Sequence, residues 1–219
     1  MKFYKNKKNV LFQIKKMYLC VIFLGSILAL SGASEYEYKL DERNKPKVMD
    51  FAGTARWLAH ENYYGSLATI SDRIGGKPFA QPKSFVDGGY PTNSTGVLYF
   101  LDSDMDASLV DITTQPIVSF SLTAATLGRC PTTKHTDPEN PTCSRATFSG
   151  TFTKVSDKVE NSNARASLIA RHPMMASWPN SHDFNVWKIT DINEIWLIDI
   201  YGGAKSVDPR DYYAYEYEI

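Results

Sequence analysis

Three cysteines in 219 residues are too few for a disulfide scaffold. The four histidines, His60, His135, His172 and His182, include no pair at the spacing of a helical metal motif. No zinc site at the cysteines is expected, because His135 alone adds too few ligands. No Gly-x-Ser-x-Gly elbow occurs, and Gly202-Gly203 is too short for a dinucleotide fingerprint. The acidic residues lack the Gly and terminal Glu of a calcium loop. No basic run lies beyond Lys16, so nucleic acid is not an expected partner. Between Gly96 and Gly128 there is no Lys or Arg at all.

The start of the chain is what the rest is not. Met1 to Lys16 carries six Lys and no acid, and Met17 to Leu30 is an apolar run of 14 residues. Ser31-Gly32-Ala33 then supplies small residues for a signal peptidase. Residues 1–33 are expected to be a secretory signal peptide. The rival is a membrane anchor, but a span needs about 20 apolar residues, so no stable anchor is expected after cleavage. Removing six of 24 basic residues leaves 18 against 24 acidic ones, a net charge of −6. The remaining chain of about 186 residues suits one domain with a proper core. Cys20 departs with the signal. Cys130 and Cys143 remain as an even pair in an oxidising compartment, where a disulfide is the expectation and two buried thiols the alternative.

Residues 34–47 are charged and read as a flexible leader, with a single domain over 48–219. Val48 to Asn62 patterns as a helix, with Phe51, Ala55, Leu58 and Ala59 on one face and Trp57 at its edge. Gly65–Ser71 and Pro78–Val86 read as strands, the second held to an edge or bulge by Pro82. Asp87-Gly88-Gly89 reads as a turn and Tyr90–Thr95 as a loop. The stretch from Gly96 to Leu122 is expected to form a strand, a short helix and a strand. Ser103, Asp104 or Asp106 would cap the helix, and Pro116 would close it. Gly128–Ser144 is a Pro-rich loop, Arg145–Val155 a strand and Asn163–Arg171 a helix. Phe184–Thr190 and Glu194–Tyr201 read as two strands joined by a tight turn at Asp191-Ile192-Asn193. DPRDYYA starts a last short helix. About six or seven mostly antiparallel strands with peripheral helices fit a closed or half-closed β-barrel.

Several stretches together resemble the CREG family of secreted glycoproteins. They are ARWLAHENYYGSLATIS (55–71), GVLYFLDSD with TTQP, the Cys130–Cys143 loop and SGTFTKV (149–155). With them go RHPMM-x-x-WP followed by HDF, and IWLIDIYGGAKSVDPRDYY (195–213). The resemblance implies a mainly β, α+β fold. This is the FMN-binding split β-barrel of pyridoxamine 5'-phosphate oxidases. It also implies a homodimer and a member without established catalysis. In a flavin-binding split barrel the central strand-helix-strand unit holds the cofactor phosphate. Here that unit carries Asp102, Asp104, Asp106 and Asp111, expected to cap a helix and face solvent, and to repel a phosphate. Basic residues from elsewhere, such as Arg73, Lys77, Arg145, Lys154 and Arg171, are the possible substitutes, and the Gly128–Ser144 loop is a possible cover for the flavin pocket.

Asn93-Ser94-Thr95 is the acceptor sequon of the chain after the signal, since Pro141 blocks Asn140-Pro141-Thr142, and Asn93 is the expected glycosylation site. His172 and His182 flank MMASWPNS and could meet in space, with a structural role as the simpler reading. Trp178, Trp187, Trp196, Tyr201, Tyr212 and Tyr213 suit either core packing or a dimer interface. The expected function is that of a non-catalytic secreted, extracellular or endolysosomal glycoprotein. It would act by binding a protein or glycan-reading receptor, with the growth and differentiation regulation that the resemblance implies. No cofactor and no metal are expected. The alternative is an FMN-dependent oxidoreductase of the split-barrel superfamily.

Overall fold

The computed structural model describes residues 45–130 and 137–218. The expected signal peptide, most of the leader and His135 lie outside the described residues. The chain order is α1 (Phe51–Glu61), β1 (Tyr64–Ser71), β2 (Lys77–Ser84), β3 (Val86–Gly89), β4 (Asn93–Ser103), α2 (Ala107–Thr114) and β5 (Ile117–Thr123). After the disulfide loop come β6 (Arg145–Lys154), α3 (Lys158–Arg171), β7 (Phe184–Ile198), β8 (Lys205–Val207) and α4 (Pro209–Ala214). Among the described residues no helix is long and apolar enough to cross a membrane.

All strand pairs are antiparallel, in the order β2-β1-β5-β6-β7-β4-β3, with β8 added to β7. The sheet curls into a half-barrel. Period-two alternation sends Leu67 of β1, Val118, Phe120 and Leu122 of β5, and Ala146, Phe148 and Phe152 of β6 inward. Phe85, Phe100 and Phe120 meet there with ring centroids 5.0 to 6.2 Å apart, edge-on or tilted. β4 is buried on both faces over its last residues. Phe100 points into the barrel, and Leu101 joins Val86, Val186, Leu168 and Met175 in a second core beneath α3.

α1 starts where Asp50 accepts a hydrogen bond from the Gly53 amide at 2.9 Å, three residues later than its apolar pattern begins. Trp57 is fully buried rather than at the helix edge, because α1 lies in the mouth of the half-barrel and buries most of its circumference. Arg56 is buried beside it. Its guanidinium donates to the carbonyls of Tyr212, Tyr215 and Ser94 and to Ser94 Oγ, at 2.6 to 3.2 Å, which ties α1 to α4 and β4. Cys130 and Cys143 are joined, and both are buried against the main core. Closing a loop of 14 residues in this way contributes about 3 kcal/mol in the chain-entropy account.

Five elements differ from the sequence expectation, β8 being a strand that it did not contain. Asp87-Gly88-Gly89 is strand, not a turn: with Val86 it forms β3, which pairs with β4, and the turn is confined to Tyr90–Thr92. Asn93 to Thr95 therefore opens β4 rather than ending a loop. α3 begins at Lys158, five residues early, because Asp157 caps it by accepting from the Glu160 amide at 2.8 Å. The two late strands are one, β7, whose expected turn is a bulge. Ser149 pairs with Glu194 and Thr151 with Thr190, so the intervening residues swell out opposite Gly150, with Asp191 at φ +48°. The bend lets the first part of β7 pair with β4 and the last part with β8.

Candidate functional site

The strand-helix-strand unit of β4, α2 and β5 meets the irregular segment after α3 at an open cleft of about 530 Å³. On one side stand Pro82, Lys83 and Ser84 from the end of β2, with Leu101, Asp102, Ser103, Met105 and Asp106. On the other stand Met175, Trp178, Pro179, His182 and Phe184. Two short 3₁₀ turns, Pro173–Ser177 and Asn180–His182, build this second wall. Pro173 and Pro179 shape them, and Ser103 Oγ pins them to β4 by donating to the His182 carbonyl. Trp178 and Phe184 pack with centroids 4.7 Å apart. Both also line a smaller cleft of about 340 Å³ bounded by Arg165 and Asp183.

The floor is charged. Lys83 Nζ bridges Asp102 and Asp106, reaching Asp106 Oδ2 at 2.9 Å. Asp106 Oδ1 accepts from Gln81 Nε2 at 2.6 Å and from the Ser108 amide at 2.8 Å, which makes Asp106 the cap of α2. Burial pushes the Asp102 carboxyl above its usual range, against the pull of Lys83. Asp111 faces the other way, into a buried pocket against β1. Its oxygens accept from Arg73 Nε and Nη2, Thr69 Oγ1 and Ser71 Oγ at 2.8 to 3.0 Å. These bonds, that to Arg73 foremost, hold its carboxyl below the usual range.

The acidic residues are thus not one solvated face. Capping is right for Asp106 and exposure for Asp104, but Asp102 and Asp111 are buried and paired. Their cations come from the β1–β2 hairpin, which folds back over α2. Arg73 was among the expected substitutes; Lys83 was not. Arg145 instead donates to the Pro138 and Asn140 carbonyls, and Lys154 lies over the Trp187 ring. Arg171 is buried, donating to the carbonyls of His60 and Asn62 and lying over the rings of Tyr63 and Tyr90. The described part of the disulfide loop does not line the cleft. It packs at the other side, where Arg129 pairs with Glu61 of α1 at 2.8 Å.

His172 and His182 face different neighbours. His172 Nε2 donates to the Phe85 carbonyl at 2.9 Å, and burial lowers its pKa. His182 stands at the cleft beside Phe184. A second polar knot joins His60, Asp87 and Ser94. His60 Nδ1 lies 3.3 Å from Asp87 Oδ1, and Ser94 Oγ donates to Asp87 Oδ2. The carboxylate sits between the other two, so the imidazole does not reach the hydroxyl to act as its base, and the knot braces α1 against the β3–β4 hairpin.

A family model described as CREG, beta-barrel, matches residues 46–214. This chain belongs to the CREG family. Protein CREG1 of Homo sapiens is 39% identical over 171 residues, covering 77% of this chain and 76% of the relative. Protein CREG1 of Gallus gallus is 36% identical over 171 residues, covering 77% and 88%. Protein CREG2 of Homo sapiens is 35% identical over 164 residues, covering 74% of this chain but only 55% of that relative. Among solved structures, a heme binding protein from Mycobacterium smegmatis superposes with a TM-score of 0.56 at 19% identity, over 73% of this chain and 58% of that one. The protein Atu2129 from Agrobacterium tumefaciens gives 0.54 at 20% identity, over 76% and 62%. These likenesses establish the split β-barrel fold and nothing beyond the fold.

The stretch matched by the CREG model contains every residue of the cleft. Asn93 is exposed at the first position of β4, beside the Tyr90–Thr92 turn. Lys83 is a site residue that sequence reasoning passed over, and Trp178, read there as core or dimer interface, lines the cleft instead. Lys83 follows Pro82 on an edge strand and looks like any solubilising lysine. Trp178 stands in a run, MMASWPN, whose two methionines, tryptophan and proline were the available signal for a ligand wall.

Proposed function

We propose that this CREG-family chain is a secreted or endolysosomal glycoprotein that acts by binding partners and not by flavin chemistry. The observation that carries the reading is the bridge of Lys83 between Asp102 and Asp106. A flavin phosphate brings nearly two negative charges and needs charge-assisted donors to offset its desolvation. At this cleft the ammonium is outnumbered by carboxylates. The Ser108 amide at the start of α2 is already taken by the Asp106 side chain. The residues present therefore do not fit a phosphate cradle, and no catalytic step is routed through a flavin. Asn93, exposed on a hairpin and followed by Ser94 and Thr95, is where the glycan of this reading attaches. Calorimetry of the purified secreted protein against flavin mononucleotide tests the reading. No binding tighter than about 100 μM is expected, and a Kd below about 1 μM, some −8 kcal/mol, would overturn it. An intact mass of the same preparation reads the glycan.

A further inference from the structure

The same cleft has a composition that selects for a ligand of one sign. We propose that it binds an organic cation, an ammonium or guanidinium carried on an apolar body, supplied either by a free amine or by a basic side chain of a peptide. This rests on the reading of the cleft as no phosphate cradle.

The floor holds two carboxylates for one ammonium, all three largely withheld from water. The side chains of Asp102, Asp106 and Lys83 are 8%, 24% and 11% exposed. One negative charge is left over. Among the described residues Asp102 accepts only from Lys83 and, at 3.0 Å, from the Ser103 amide. A carboxylate has room for about four donors, so a cation can add to Asp102 without displacing Lys83. An incoming anion would have to strip Lys83 from both carboxylates.

His182 aside, the wall agrees in sign with the floor. Trp178 and Phe184 turn aromatic surface to the cavity, and ring faces attract cations. Met175 and Leu101 continue the apolar lining, and Met105 stands 72% exposed at the cavity. At about 530 Å³ the cleft takes a body the size of an arylalkyl amine or a dipeptide side-chain pair. A bare metal ion fits less well: among the described residues no three metal-ligating side chains converge.

The test titrates the full secreted protein by calorimetry with phenethylammonium, with acetyl-Phe-Lys-amide, with phenylpropionate as the anion of the same shape, and with flavin mononucleotide. At least one cation is expected to saturate a site, at least about tenfold tighter than phenylpropionate. Which cation binds tells the free amine from the peptide. Asp102→Asn, which keeps the shape, should weaken that binding about tenfold. Lys83→Met, which frees both carboxylates, should strengthen it, a rise that a misfolded variant would not give. No cation binding up to about 10 mM, or binding indifferent to both substitutions, overturns the proposal. If flavin mononucleotide is also silent, the proposal alone falls. Micromolar flavin binding overturns both it and the reading on which it rests.

Discussion

Asp111 is a buried carboxylate whose charge is fully matched by donors. Four donors fill its two oxygens: two from Arg73, and the buried hydroxyls of Thr69 and Ser71. Replacing it by Ala removes the ion pair and leaves both hydroxyls unpaired inside the sheet. Asp111→Ala should therefore cost about 3 kcal/mol, at 1–3 kcal/mol per orphaned buried group and with Arg73 partly rescued by water. The pH dependence has a definite sign. A folded-state pKa held below the ordinary 3.8 stabilises the fold in full above that value. The contribution is lost as pH falls through the folded pKa. Urea unfolding of both proteins should show the full gap at about pH 7 and a narrower one at about pH 2. An equal gap at both would remove the Arg73 account. At this scale the sequence was half legible. Asp106 two residues before Ser108 is a local signature, readable along the chain. The partners of Asp111 lie 38 to 42 residues away, and only the register of β1 against α2 brings them together. Lys83 was hidden in the same way, 19 residues from Asp102 along the chain.

The elements were read well where their cause is local. Pro82 confined β2 to an edge, and β2 does end the strand order. The alternation of β6, with Phe148 and Phe152 inward and Thr147 and Thr151 outward, survives unchanged. Reading failed where a turn and a bulge share one chemistry. Asp191-Ile192-Asn193 has the polar residues of a hairpin, and what makes it a bulge lies on another strand. Gly150 has no side chain, so the swollen backbone of β7 can lie across it. A Cβ at position 150 would stand 2.5 Å from the Thr190 carbonyl oxygen and 2.9 Å from Ile189 Cγ2. The first of these is backbone and cannot swing away. Gly150→Ala is expected to cost about 2 kcal/mol, typical of an overpacked core, and to lower the melting temperature by about 4–8 °C for a domain of this size. Scanning calorimetry reads it, with Thr151→Ala, on the outward face, as the control. Equal melting of the two variants would mean that the bulge relaxes freely and that Gly150 does not set it.

At the scale of the whole molecule, the late aromatics divide between the core and the wall of the cleft. Tyr212 is in the core and Trp187 stacks on Phe152 at 5.6 Å, while Trp178 walls the cleft. Trp196, at 40% exposed, belongs to neither. It sits on the outer face of the sheet in a row that crosses five strands: Ser66 opposite Ser121, then Thr147, Trp196 and Ser206. The next row runs through Ala68, Ser119, Ser149 and Glu194. The hydroxyls satisfy one another within the face, Ser119 with Ser149 at 2.9 Å and Ser121 with Thr147 at 3.4 Å. Glu194 at its margin aside, short side chains so paired leave a smooth surface that is cheap to desolvate. Ile117, 54% exposed, and Trp196 stand on it as apolar anchors. In the homodimer that the resemblance implies, a second copy of the same face, turned by a two-fold axis, would set tryptophan and isoleucine against these small residues; a stable interface needs about 800 Å² per partner. The dimer would not be disulfide-linked, since Cys130 and Cys143 already hold each other. Light scattering of the secreted protein at micromolar concentration should give twice the chain mass. Trp196→Glu, which plants a charge at the centre of the face without touching the core, should return the mass to that of one chain with an unchanged melting curve. Wild-type protein already running as a single chain would leave this face without a partner. A dimer untouched by the Glu substitution would place the interface elsewhere.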